Sequence, residues 1–469
     1  MNQAGLSGDP FTDVGAAVLQ TLLAQHPNWQ EQDALKFATD VYVQSWQSKL
    51  HAFFLNSGIT NPANKGKEVE RTLEYYGALL ADDPKQAKGW CRVSGQYEPL
   101  FPAGRENQVL AGSGTFLNFN HGLEQGLQLG RSALLNIYFA PLGCLEVGGN
   151  PALIHSSRPE VTVFLAASNL KENLRPAATE LKPGLAKSSR GNAANALFGY
   201  VDDILKEVKR ESSKLTDGSA PALTLYNFTN FGAKPDVVLH HLSATVFDFY
   251  QQVMSEYKEP WTWFVRAHYR SSKFKGARAQ PDTTALFVPG KAHEALTIVE
   301  PTTYRAWYNP VYNYLLAGRS LLEMIKKWCR YQRFPFDLTT YYCEKILHMD
   351  QRTFELISRV ARYVATQTDD SAIKRTLTRL STARTGSEVR LLLVGLQRRN
   401  YETDATEPLL RLDDYVRYLF PDGSSWREIR DLLLISLYEQ LHENNRHVEL
   451  EEGLEEVAAG DEDTDTDQE

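Results

Sequence analysis

Cysteine is scarce in this chain. Cys91, Cys144, Cys329 and Cys343 are scattered over 469 residues, too few for a disulfide framework, and they point to reduced thiols and a cytoplasmic setting. No run of about 18 apolar residues occurs, so no membrane-spanning helix and no membrane partner are expected. Residues 1–13 have neither the basic nor the apolar region of a secretory signal. Signatures of catalysis are missing too: no HExxH, no Gly-x-Ser-x-Gly elbow, no His-Asp metal doublet. Asp202-Asp203 and Asp413-Asp414 fall early in helical patterns, where carboxylates favour the helix dipole. His240-His241 sits in a strand-like apolar context and reads as structural. Cys329 and Cys343 have no neighbours that would activate a thiol. The reading is a binding protein, not an enzyme, with no cofactor. A metal-dependent nuclease and a purely structural scaffold are the alternatives.

What is present is charge, unevenly placed. The formal net charge is -8, yet residues 449–469 hold eleven acidic residues and no basic one, which leaves residues 1–448 at +3. The acidic tail, taken as 447–469, alternates Asp with Thr and has almost nothing apolar after Val457; its composition predicts disorder. The remaining body is mildly basic. An acidic whole-chain charge therefore says nothing against a nucleic-acid partner.

Periodicity predicts an α+β protein: a mixed N-terminal domain over 1–302 followed by a helical bundle over 303–446. Thr12 or Asp13 is read as the cap of a first helix through Val14, Val18 and Leu22. A second runs from near Gln32 through Trp46 and Phe53 to Asn56-Ser-Gly, and a third covers 68–80. Leu134 to Phe139 and Val161 to Ala166 read as strands, as do Leu223 to Phe228, Leu286 to Val288 and Leu296 to Val299. Residues 260–300 read as two strands or a hairpin around a basic tip. From about Thr303 helical patterns follow at 309–331, 337–347, 350–367, 370–382, 386–399, 409–419 and 425–443.

Three patterns bear on binding. Trp90-Cys91-Arg-Val-Ser94 and Cys144-Leu-Glu-Val147 each resemble half of a zinc knuckle, but Ser94 and Val147 stand where the second thiolates belong. Two thiolates fall short of the four ligands of structural zinc, so no metal is expected. Between them, Asn118, Asn120 and His121 follow a glycine-rich run and can read base edges or cap a helix. Lys187, Arg190, Asn192 and Asn195 fall in a polar loop over 176–196 that suits contact with a phosphate backbone, as any surface insertion would, and with Asn118 and Asn120 they are the candidate base readers.

The strongest pattern is Trp261-Thr-Trp-Phe-Val-Arg266-Ala-His268-Tyr-Arg270-Ser-Ser-Lys273-Phe-Lys275-Gly-Ala-Arg278. Five cations and interleaved aromatics occur with no carboxylate between Pro260 and Gln280. Cations neutralise phosphates and aromatic rings stack on bases. A second cationic region spans 319–399, with sixteen Lys or Arg against eight Asp or Glu. Lys326, Lys327, Arg330, Arg333, Arg359, Arg362, Lys374, Arg375 and Arg379 supply most of the excess, which suits either a solvated face or a backbone track.

Four segments, in order, carry a resemblance: Asp9-Pro-Phe-Thr-Asp13-Val-Gly15, Asn56-Ser-Gly-Ile-Thr60-Asn-Pro62, Pro141-Leu-Gly-Cys144 with Gly148-Gly149, and Tyr226-Asn-Phe-Thr-Asn230-Phe-Gly232. Together they resemble the large subunit of type I-B CRISPR Cascade complexes, the Cas-eight-b or Cst family, over roughly the first half of the chain. The departure is at the knuckles, where some relatives carry full cysteine pairs. The resemblance implies a non-catalytic subunit that joins a CRISPR RNA and the backbone subunits. It further implies recognition of the protospacer-adjacent motif on double-stranded DNA, help in opening the R-loop, and a helical domain that guides the non-target strand. It also implies that this domain can be made separately as a small subunit, by an internal start. The recruited effector would be a helicase–nuclease or a transposition adaptor.

Overall fold

Asp9 opens the first helix, α1 (Pro10–Gln25). Its carboxylate accepts from the Thr12 N–H at 2.7 Å, and Pro10 takes the first position, where no N–H is needed. This corrects the expected cap at Thr12 or Asp13. Asp13 lies buried inside the helix, accepts from the Ser7 N–H and hydroxyl at 2.8 and 2.7 Å, and stands 3.0 Å from His155 Nε2. Helix α2 (Glu31–Asp40) runs into a π turn at Val41–Ser45 and ends sooner than predicted. Gln47 and Ser48 take positive φ values there, yet Leu50 and Phe53 remain buried in the irregular chain beyond. Helix α3 (Glu68–Leu80) is where its pattern places it.

The computed structural model describes residues 6–81, 85–111, 126–175, 183–211, 219–230, 236–289, 296–403, 407–421, 425–446 and 448. They are mixed α and β at first and helical later, an α+β fold. Contacts group them into two units: those of Met1–Asp248 with Arg266–Leu316, and Phe249–Val265 with those from Ala317 onward. Among the described residues no helix is long and apolar enough to cross a membrane.

In the first unit, strands β1 (Lys88–Trp90), β2 (Tyr97–Ala103) and β3 (Leu127–Gly130) form an antiparallel sheet. The half-knuckle at Cys91 is a hairpin. Its buried sulfur accepts from the Gly130 N–H at 3.2 Å and the Ser94 N–H at 3.4 Å. Helices α4 (Arg131–Phe139) and α5 (Pro159–Asn173) replace two predicted strands. Their apolar runs are short and buried on nearly every side, so period alone could not separate helix from strand. At Gly15 an added Cβ would lie 1.7 Å from the Asn136 carbonyl oxygen, so α1 and α4 meet backbone to backbone.

A four-stranded antiparallel sheet is ordered β4 (Leu145–Val147), β5 (Asn150–Ser156), β6 (Leu223–Thr229), β7 (Asp236–Leu242). Helices α1 and α5 lie against β5, and α6 (Ala193–Glu211) against β6 and β7. Helices α7 (Ala244–Glu256) and α8 (Lys258–Ala267) follow, which corrects the hairpin expected from residue 260: the chain is helical to Ala267. Only then come the short strands β8 (Arg278–Ala279), β9 (Leu286–Val288) and β10 (Thr297–Val299), the turn of helix α9 (Pro301–Tyr304), and α10 (Pro310–Ala317).

The second unit is built on its last helix. Helices α11 (Leu322–Cys329), α12 (Phe336–Lys345), α13 (Gln351–Ala365), α14 (Asp370–Thr382) and α15 (Gly386–Glu402) all contact α17 (Trp426–Glu443). Between α15 and α17, the short α16 (Leu412–Asp414) runs into a π turn at Tyr415–Leu419. Helix α17 buries Ile429, Leu432, Leu433, Leu434, Ile435, Leu437 and Leu441, apolar almost all round as a central helix must be. The helix predicted over 309–331 is two, broken where Gly318 takes φ +65°. Trp261 and Phe264 of α8 pack into this unit, with Phe264 edge-on to Trp328 at 5.9 Å.

Burial works to raise the pKa of Asp13, but the bonds from His155 and Ser7 outweigh it and hold the carboxyl below its ordinary value. A depressed folded pKa means that its contribution is complete above about 3.9, the ordinary value, and is lost as pH falls through the folded value. Asp13→Asn should lower stability at neutral pH by about 1–3 kcal/mol in urea titrations and remove part of the acid limb of the pH profile. An unchanged acid limb would show that Asp13 is not a charged anchor.

Candidate nucleic-acid interface

The side chain at the centre of the site is Asn195, near the start of α6 and 1% exposed. Its amide donates to the carbonyls of Arg305 at 2.8 Å and Trp307 at 2.7 Å, clamping the turn between α9 and α10. Asn192 holds the helix start: its side chain accepts from the Asn195 N–H at 3.3 Å and its carbonyl from the Ala196 N–H at 2.8 Å. A Cβ on Gly191 would meet that of Ala306 at 3.1 Å, so the loop and the turn run close together.

The same turn holds the basic loop. Trp307 stacks on Phe274 at 5.2 Å and 19°, and the Arg270 N–H donates to the Tyr308 carbonyl at 2.9 Å. Tyr269 lies against Tyr304 at 4.9 Å, and the Tyr304 hydroxyl donates to the Thr284 carbonyl at 2.7 Å. Burial pushes the Tyr269 hydroxyl up to about 12, while the nearby Arg305 and Arg190 guanidiniums pull the other way. On this frame Arg270, Lys273, Lys275, Arg278 and Arg305 are exposed, with Tyr308 47% exposed beside them. Lys273 also reaches over the Phe274 ring, 5.4 Å from its centre. The result is a cationic lip with aromatic faces, suited to phosphates and unstacked bases.

Arg266 does not belong to it. The guanidinium is buried, bonded to the carbonyls of Thr283, Gln280 and Pro281, and burial lowers its pKa. It shapes the loop rather than meeting a ligand. His268 is half-buried. Of the polar-loop candidates, Asn195 is internal and Asn192 is a helix cap, which corrects both as base readers. Arg190 pairs with Asp202 at 3.2 Å, packed over Gly199, where a Cβ would overlap its guanidinium. Lys187 remains exposed, 3.3 Å from Glu146, and its backbone bridges β4. Asn118 and Asn120 lie outside the described residues. Arg305, Trp307 and Tyr308 were missed in the sequence, although an arginine and two aromatics within four residues signalled them.

The helical unit needs similar sorting. Lys326, its side chain 12% exposed, pairs with Asp431 at 3.1 Å, beside Arg430 at 2.9 Å from the same oxygen, and so faces inward. Arg333 is exposed and donates to the His442 carbonyl at 3.0 Å. Lys327 pairs with Glu323 at 2.8 Å, and Arg330 lies over the Tyr331 ring. Arg359 is half-buried and helps hold Asp414 below the ordinary carboxylate range, chiefly the work of Arg352. Arg362, Lys374, Arg375 and Arg379 are exposed. The paired carboxylates are engaged in ion pairs: Asp203 with Lys206 at 2.9 Å, Asp413 with Arg417 at 2.9 Å, Asp414 with Arg352 at 3.1 Å.

Fold and lip together define a mixed α+β protein with a helical C-terminal unit and an exposed basic rim. A family model described as DevT C-terminal domain matches residues 342–468, from within α12 to beyond the last described helix. No curated protein matches the chain.

Replacing Asn195 with Ala removes both donors to the 305–307 turn. We expect a loss of about 1–2 kcal/mol in thermal or urea unfolding and faster amide exchange over 269–278. Unchanged exchange in the basic loop would mean that the clamp does not hold it.

Proposed function

We propose that this chain is the non-catalytic large subunit of an RNA-guided CRISPR surveillance complex of the Cascade kind. The observation that carries the nucleic-acid part is the lip: Arg270, Lys273, Lys275, Arg278 and Arg305 exposed on a frame tied by Asn195, Trp307 and Tyr308. The resemblance of the four N-terminal segments supports the complex. In that role the lip takes the backbone of guide RNA or target duplex next to the protospacer-adjacent motif and assists R-loop opening. The exposed cations of α13 and α14 guide the non-target strand. The partners are the CRISPR RNA, double-stranded DNA, Cascade backbone subunits, a helical small subunit, and a helicase–nuclease or transposition adaptor.

Each phosphate contact contributes about 0.9 to the slope of log affinity against log salt on duplex DNA. Replacing the five lip cations with Ala, in the assembled complex, should therefore flatten that slope by up to about 4–5 and weaken target binding. Arg266→Ala is the contrast: stability falls, since the carbonyls of 280–283 lose their donor. Identical slopes for wild type and the five-fold variant would overturn the assignment of the lip. Equal affinity for duplexes with intact and scrambled adjacent motifs would reduce the subunit to a scaffold.

A further inference from the structure

The four-stranded sheet closes one of its edges and leaves the other open. We propose that the open edge, strand β7, is a docking site for an extended strand of another protein, which joins the sheet as its next strand. The pairing does not depend on the nucleic-acid reading above.

At β4 the Glu146 N–H donates to the Ala186 carbonyl at 2.9 Å and the Ser188 N–H to the Glu146 carbonyl at 2.9 Å, so the segment around Lys187 caps that edge. Strand β7 pairs with β6 along its whole length, from Asp236 opposite Thr229 to Leu242 opposite Leu223. Among the described residues nothing pairs with its other side. The Val237 N–H finds the carboxylate of Asp236 at 2.8 Å, which places it on the outward side. In an antiparallel pair the N–H and C=O groups of Leu239 and His241 then point outward too.

With seven residues β7 is the longest edge strand among the described residues, the others running to four at most. Natural edges of such length are protected by proline or lysine. Strand β7 has neither and exposes Val237, Val238 and Leu239, at 39%, 50% and 57%. Val238 shares a face with the buried Leu225 and Leu242, while Val237 and Leu239 stand opposite Phe228 and Tyr226 on the other face. Both faces of the sheet therefore continue as apolar surface to its edge.

These features select the occupant. Apolar side chains alone would accept a helix, but a row of outward N–H and C=O groups is satisfied in register only by an extended backbone. A second copy is disfavoured by size, since a specific interface uses about 20–30 residues a side and this edge presents seven. Asp236 is exposed at the start of β7, and no lysine or arginine follows it in the strand. The matching strand is thus aliphatic in its middle and cationic at the end that meets Asp236.

The test uses the full chain and a fluorescein-labelled peptide that alternates threonine and valine between two terminal lysines. We expect saturable binding, with amide exchange slowed at least about tenfold at Val237, Leu239 and His241 and unchanged at Val238 and His240, whose N–H groups face β6. N-methylation along the pairing edge of the peptide should abolish binding. Leu239→Pro, which removes one outward donor and spares the bonds to β6, should weaken binding about tenfold with little change in the unfolding midpoint. The methylated peptide probes the native chain, so it is decisive even if the proline variant unfolds. No binding, or equal binding of the methylated peptide, overturns the edge as the site. A chain that sediments alone as a dimer, and as a monomer after Leu239→Pro, assigns the edge to a second copy and overturns the partner strand.

Discussion

The candidate interface depends on one primary amide. Asn195 is buried at the start of α6 and gives both N–H groups to the carbonyls of Arg305 and Trp307. Those carbonyls belong to a turn whose ring and backbone in turn hold the basic loop, through the Trp307–Phe274 stack and the Arg270–Tyr308 bond. A loop of lysines and glycine would otherwise sample many conformations, and each would have to be ordered at binding. The clamp moves part of that ordering into folding. Asn is the residue that can do it, because two donors leave one planar group and each meets its own carbonyl.

The segments behind the family resemblance have a different task. Asp9 caps α1, Phe11 meets Phe228 edge-on at 5.3 Å, and Phe228 meets Phe53 at 5.5 Å. Asn230 donates to the Phe53 carbonyl, and Thr60 to that of Phe54. Gly143 lies so close to α1 that a Cβ would stand 2.5 Å from a methyl of Val14. Segments far apart in sequence thus meet around one buried helix. They bear on the architecture and leave the ligand to other residues.

This explains what was legible. The helical patterns at 350–367, 370–382 and 386–399 were recoverable because each has one apolar face and an acidic or polar cap, at Asp350, Asp369 and Thr385. Leu134 to Phe139 was not, because a helix buried against α1 loses the polar face that marks its period. The site was half legible. Charge density located the basic loop, but a cation's partner cannot be read from its neighbours: Lys326 finds Asp431 across 105 positions, and Arg266 finds backbone carbonyls. The one local hint was Asp431 itself, a carboxylate entering the apolar run of α17, which needs a cation when buried.

The two cationic regions differ in what they can do with a polyanion. On the helices several exposed cations already sit beside an acid: Lys327 by Glu323, Arg375 by Asp369, Arg398 by Glu402, Arg417 by Asp413. Exposed pairs of this kind contribute at most about 1 kcal/mol, so a phosphate or another carboxylate can replace either partner at small cost. Long side chains on such a surface favour any backbone and discriminate little. On the lip, no carboxylate occurs between Pro260 and Gln280, and the flanking rings are fixed by stacking and by backbone bonds. A fixed cation beside a fixed ring distinguishes geometries, because a strand that cannot bring phosphate and base to both at once forfeits one contact. Under the proposed function, selectivity belongs with the lip, and tracking with the helices.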